Sequence, residues 1–259
     1  MPKPLNVHPQ FHKGYGWKPK LPSIEFPLYQ ARVELGALPI KVDLRPQCPP
    51  IYDQGQLGSC TGNGWAAAAE FLIMKQGLPN FTPSRLFIYY NERVADNDVA
   101  VDAGASISDG AHVVSTLGCP DETLWPYDIT KFAYQPPANV FADGAKHRVL
   151  QVQQVSQDLT AMKEILANGL PIVIGFVVYP SFESQEVSTS GEVPMPGHHE
   201  KPVGGHCVVV VGYDDTQKRF IMRNSWGSGW GLAGYFTMPY AYLTNPRLSS
   251  DFWMASKIE

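Results

Sequence analysis

Hydrophobic and polar positions change their period along this chain in three stages. Over the first 40 residues no period holds for more than a few positions, because Pro2, Pro4, Pro9, Pro19, Pro22, Pro27 and Pro39 interrupt every helical or alternating pattern. Yet Phe11, Tyr15, Trp17, Ile24, Phe26, Leu28 and Tyr29 are too many large apolar groups for a solvated tail, so this arm, 1–40, is expected to lie extended on the body that follows. From 41 to about 145 the period is mostly helical. Residues 60–76 put Trp65, Ala68, Ala69, Leu72 and Ile73 on one face and stop at Gly77. A second helix is expected from Thr82, capping ahead of Pro83, through Leu86, Tyr89, Tyr90 and Val94, and a third over 108–117. After about 145, runs rich in Val, Ile, Phe and Tyr at 147–155, 171–179, 205–213, 219–223, 234–238 and 251–258 predict strands, with one helix at 158–168. A helical half (41–145) followed by an antiparallel half (146–259) predicts an α+β fold of two lobes with a cleft between them. The stretch 181–204 reads as a long polar loop.

Composition narrows the possible partners. A chain of 259 residues, 44% hydrophobic and 17% charged, can bury a real core. Its net charge of −4 offers no broad attraction for phosphate backbones, so no nucleic acid partner is expected. No apolar run approaches the roughly 20 residues of a membrane-spanning helix, and residues 1–20 lack the apolar core of a secretory signal. The expectation is a chain with no membrane span, either cytoplasmic or exported by a route or signal absent from this numbering. Cys48, Cys60, Cys119 and Cys207 follow no Cys-x-x-Cys metal spacing. His198, His199 and Glu200 invite a metal, but adjacent side chains rarely converge on one ion. A solvated loop is the reading there, and no metal is expected.

Four residues carry candidate chemistry. Cys60 sits where the loop DQGQLGSC gives way to a helix, and unpaired amides at a helix start favour a thiolate. A small buried cysteine is the ordinary alternative. His206 opens the strongly β-forming GGHCVVVVGYDD, where Gly204 and Gly205 allow another chain to approach closely. On so rigid a strand its imidazole can serve a thiol as base and a leaving amine as acid, although alone it would be a core histidine. Asn224, 18 residues further on in RNSWGSGWGLAGYF, can accept from that imidazole and fix its tautomer, with Trp226 keeping water away. Gln54, six residues before Cys60, can donate to the oxyanion of a tetrahedral intermediate together with the Cys60 amide. Each residue has a bland explanation, but all four in this order make an acyl-transfer site.

With VDLRPQCPPIYDQGQLGSC, LWPYD, GGHCVVVVGYD and NSWGSGWGLAGYF in place, the sequence resembles the papain family of cysteine peptidases over roughly residues 41 to 259. The resemblance implies a helical left lobe and a β-barrel-like right lobe, with Cys60 as nucleophile, His206 as its ion-pair partner, Asn224 orienting the histidine, Gln54 as oxyanion donor and Trp226 over the Asn–His contact. It implies a monomeric endopeptidase that acts on protein or peptide substrates, needs no cofactor and works best between mildly acidic and neutral pH. DAGASISDG can be aligned so that Gly104 and Ala105, or Ala105 and Ser106, form the backbone shelf for substrate. The pocket for the second residue upstream of the cut falls near 240–252. Three departures stand out. Leu57 and Thr61 replace a half-cystine and an aromatic beside the nucleophile, so the family's disulfide there is absent. Cys48 falls where the cathepsin B branch has a cysteine, with Cys119 as the partner a bridge would use, while Cys207 reads as a buried free thiol. The arm lacks the longer helical proregion of the family, and reads as a short prosegment or cleft plug. Rival readings are another acyl transfer or aminopeptidase trimming on the same residues, or a catalytically silent binding module.

Overall fold

Residues 14–20, 25–30 and 38–259 are described by the computed structural model. Expectations for Phe11, Ile24 and the rest of 1–13, 21–24 and 31–37 lie outside the described residues. In chain order the elements are β1 (Lys41–Asp43), α1 (Cys60–Lys75), α2 (Arg85–Ala95), α3 (Ile107–Thr116), α4 (Ala138–Gly144), β2 (Val149–Leu150), β3 (Gln153–Gln154), α5 (Leu159–Ala167), β4 (Ile172–Val178), α6 (Gln185–Ser190), β5 (Gly204–Asp214), β6 (Arg219–Arg223), β7 (Tyr235–Pro239), α7 (Tyr240–Leu243), β8 (Ser249–Met254) and β9 (Lys257–Ile258).

α1 is buried from Cys60 through Ile73. Gly62 and Gly64 weaken its first turns as helix formers, but they permit close packing. A Cβ at Gly62 would stand 2.8 Å from the Arg85 carbonyl, and one at Gly64 would stand 2.9 Å from Cys207 Sγ. The start of α1 is thereby pressed onto both α2 and β5. The second helix begins later than Thr82, because Pro83 is held in a bridge to Asp121. Ser84 is the cap instead, accepting from the Phe87 amide at 3.3 Å. Ser106 caps α3 and Asp158 caps α5 in the same way.

One sheet has the order β3-β8-β4-β5-β6-β7, with β1 paired to β5, and it is an open path among the described residues rather than a closed barrel. β5 is buried from His206 to Asp214, with α1 and α5 packed against it. Burial on both faces explains why Val208 to Val211 form a continuous apolar run rather than an alternating one. Two strand runs divide. The 147–155 run becomes β2 and β3 around Gln151 at φ 56, and the 251–258 run becomes β8 and β9. Strand β1, which the sequence pattern groups with the helices, pairs with β5, and β9 pairs with β2. The 181–204 stretch contains α6, closed by Gly191 at φ 67.

Candidate active site

Cys60 is the first residue of α1 and has no solvent exposure. Ser59 ahead of it makes no capping bond, because its hydroxyl is engaged with Tyr127 and Asn63. The Cys60 sulfur instead meets the backbone amides of Cys207, Gly16 and Thr61, which favour the thiolate. Burial outweighs them and pushes the thiol up to about 12.

His206 lies on β5 opposite Phe176 of β4. Its Nε2 is 2.8 Å from Asn224 Oδ1, and Trp226 stacks on the ring at a centroid distance of 4.8 Å and an interplanar angle of 26°. Phe176 and Phe182 also face the imidazole. With Nε2–H donating to Asn224, His206 Nδ1 presents its lone pair, and that atom has no hydrogen-bond partner among the described residues. Burial pulls His206 down to about 4, against the Asn224 contact that raises it. Burial thus disfavours the charged form of both the thiol and the imidazole.

Gln54 joins the two halves. Its Oε1 accepts from Ser225 Oγ at 2.6 Å, its backbone N–H donates to the Ser225 carbonyl at 2.9 Å, and its Nε2 donates to Leu57 O at 2.9 Å and Gly14 O at 3.0 Å. The last contact belongs to the arm, which runs through the cleft. The Trp17 amide donates to Gly205 O at 3.1 Å, Ala105 N–H donates to Gly16 O at 2.7 Å, and the Lys18 amide donates to Ala105 O at 2.9 Å. Of the two shelf alignments, both include Ala105, and Ala105 is the residue that pairs with a chain in the cleft. Gly104 sits at φ +75, and a Cβ there would stand 2.1 Å from Gly16 O. Ser106 turns away to cap α3. Tyr15 packs beside His206 and Trp226, and its hydroxyl donates to Glu183.

All four cysteines are free, so Cys48 and Cys119 are not bridged. Cys207 is buried behind the site, as its strand position implied. Glu200 ties its loop by accepting from the Ser181 and Gly197 amides, each at 2.7 Å, and among the described residues no cluster of His, Cys, Asp and Glu could hold a metal. No helix among them is long and apolar enough to cross a membrane. Sequence reasoning did not single out Asp102, which accepts from the Gly58 amide and the Tyr89 hydroxyl. Nor did it single out Asp251, whose carboxylate accepts from Trp17 Nε1. Neither shows a local spacing that separates it from a surface aspartate.

Cys60 at the start of α1 belongs to the helical half, and His206 on β5, bonded to Asn224 just beyond β6, belongs to the sheet half. The papain family cysteine protease profile matches residues 38–249, and the chain belongs to that family. It is 43% identical over 227 residues to an uncharacterized peptidase C1-like protein of Acanthamoeba polyphaga mimivirus, covering 84% of this chain and 73% of that protein. It is 29% identical to cysteine proteinase 3 of Entamoeba histolytica, over 78% of this chain and 63% of the relative's length. Among solved structures, xylellain, a cysteine protease from Xylella fastidiosa, superimposes with a TM-score of 0.89 at 39% identity, covering 96% of this chain and 97% of the other. The protein is a papain-family peptidase, a hydrolase with protein or peptide substrates.

Proposed function

We propose that the protein is a cysteine endopeptidase working through Cys60, His206, Asn224 and Gln54, held shut by its own N-terminal arm. The observation that carries the catalytic assignment is the 2.8 Å His206–Asn224 bond under Trp226, which leaves Nδ1 as the free base on the strand whose Cys207 amide meets the Cys60 sulfur. Once the cleft is wet, the proton moves from Cys60 to His206 Nδ1, and the thiolate attacks the scissile carbonyl. The oxyanion is held by Gln54 Nε2–H and the Cys60 amide. His206 protonates the leaving amine as the C–N bond breaks, giving a thioester, then takes a proton from water, which attacks to release the acid and restore the thiol.

The arm reading is supported by its seat. Residues 14–18 pair with backbone on both sides of the cleft and occupy the Gln54 Nε2–H that an oxyanion would use. Substrate and arm therefore compete for the same groups. Cys60→Ala should abolish turnover of a peptide-amide substrate. Gln54→Ala should lower kcat about 100-fold or more with a small change in KM. Full kcat in Gln54→Ala would remove Gln54 from the oxyanion role, and turnover surviving Cys60→Ala would end the peptidase assignment.

A further inference from the structure

One chain of side-chain bonds holds two backbone amides on the walls of the slot through which the arm passes. The Gly58 amide donates to both carboxylate oxygens of Asp102, at 3.1 and 3.0 Å. The Tyr89 hydroxyl donates to Asp102 Oδ1 and accepts from the Gly104 amide at 3.1 Å. Gly58 lies in the loop between Gln54 and Cys60, and Gly104 precedes Ala105, the residue that pairs with a chain in the cleft. Gly16 of the arm threads between the two. A Cβ on Gly16 would stand 1.6 Å from Gly58 O, and one on Gly104 would stand 2.1 Å from Gly16 O. No disulfide braces this loop, since all four cysteines are free, and Leu57 is instead buried in a cluster with Leu86, Tyr89 and Ala105. Tyr89 itself has no solvent exposure. Its ring lies 4.1 Å from the Arg93 guanidinium, whose nitrogens are engaged by the carbonyls of Tyr89, Val99 and Phe132, so the hydroxyl is held in place. Asp102 stays exposed, and its charge therefore carries little burial penalty. Without it the buried hydroxyl would lose its acceptor, and without the hydroxyl the buried Gly104 amide would lose its own.

We propose that Asp102 and Tyr89 are positioning residues of the peptidase: their bonds set the width between the Gln54–Cys60 loop and the Ala105 shelf, so that a backbone paired on the shelf meets the oxyanion donors at the right distance. The proposal rests on the peptidase reading for its chemistry, though not for its geometry. Asp102 acts on the nucleophile loop through Gly58, and a small displacement of that loop misplaces both the Gln54 side chain and the Cys60 amide. The Tyr89 hydroxyl acts on both walls, because it bonds Asp102 on one side and the shelf amide on the other.

Two readouts test this in the Trp17→Ala chain, whose arm lacks its buried indole. The first is hydrogen exchange at the Gly58 and Gly104 amides. Asp102→Ala should speed exchange at Gly58 about tenfold, Asp102→Asn should keep it slow because its amide oxygen still accepts, and Tyr89→Phe should speed exchange at Gly104. The second is turnover of a capped peptide amide. Asp102→Ala should lower kcat about tenfold with KM changed less than about twofold, and Asp102→Asn should restore kcat to within about threefold of the parent. Tyr89→Phe keeps the ring and its packing, and should raise KM as well as lower kcat. The Asp102→Ala, Tyr89→Phe double variant should lose less than the product of the single losses, because the two residues share a bond. Gly58 exchange untouched by Asp102→Ala, or Asp102→Asn as impaired in kcat as Asp102→Ala, would overturn the proposal, and this pair decides alone if Tyr89→Phe does not fold. The exchange pattern found without any Cys60-dependent cleavage would uphold the bracing and sink the peptidase mechanism, so the two fail separately.

Discussion

Asn224 shows how much one side chain can hold. Its Oδ1 accepts from His206 Nε2 and from the Ser225 amide at 2.9 Å, so the imidazole tautomer and the following backbone are fixed together. Asn224→Ala should lower kcat/KM at least about tenfold, mostly through kcat, because the ring loses its preferred tautomer rather than its contact with substrate. Unchanged kcat would show that the Trp226 stack and the aromatic wall orient His206 unaided. At this scale three of the four candidate residues stand out in the sequence because their neighbours are unusual: a cysteine at a helix start, two glycines before a histidine, and an asparagine leading into paired tryptophans, while Gln54 stands out only by lying six residues before Cys60. Asp251 is not legible. What distinguishes it is a left-handed φ and a register slip against β4, neither of which leaves a local pattern.

At the scale of elements, α1 and the arm carry the energetic argument. Alanine at position 64 would gain about 1 kcal/mol of helix propensity, but its Cβ would press on Cys207 Sγ and come within 3.3 Å of Val173. Gly64→Ala should therefore destabilise the protein by about 1–3 kcal/mol, read as a lower Tm, and a rise in Tm would show that the α1–β5 contact relaxes easily. The seated arm covers a coupled pair rather than a single titrating group. Burial lowers His206 to about 4 and pushes the Cys60 thiol up to about 12 when the arm is seated, so one proton stays on sulfur. In the open, wet cleft the pair still holds one proton, now on His206, so opening takes up a proton only below the thiolate's range and releases one only above the imidazolium's. Protection of the Trp17 and Lys18 amides should therefore change less than about threefold between pH 7 and pH 5. A tenfold or larger fall over that range would show that the open pair is not thiolate and imidazolium. Long elements were readable here, since α1 and β5 are long apolar stretches bounded by turn residues, whereas α4, α6 and α7 are too short to show a pattern. Ser84 displaced Thr82 as a cap only through the bridge from Pro83 to Asp121, a contact between distant segments.

For the whole molecule, the site depends on the chain crossing between its halves. Gln54 bonds Ser225, Arg223 donates to the Pro49 carbonyl at 2.6 Å, and β1 adds to β5, so residues on both sides of the cleft are held in register. Residues 14–17 of the arm bond at one end to Gln54 and at the other to Asp251. The expectation that the large apolar residues of the arm would dock rather than solvate agrees with the burial of Trp17 and the edge packing of Phe26 on Trp253, whereas Leu28 stays exposed. Its route could not be read from sequence, because proline-rich chains carry no period that names a partner. The central claim is that Cys60 is an activated nucleophile masked by residues 14–18. It is tested most directly by the rate of covalent labelling with an irreversible epoxide thiol reagent, followed by mass spectrometry on the full chain and on its Trp17→Ala variant at pH 6. Slow labelling of the full chain is expected, with labelling at least about tenfold faster in Trp17→Ala, all of it on Cys60. Equal rates in the two chains would contradict the mask, and a Cys60 that stays unlabelled in Trp17→Ala would contradict the nucleophile.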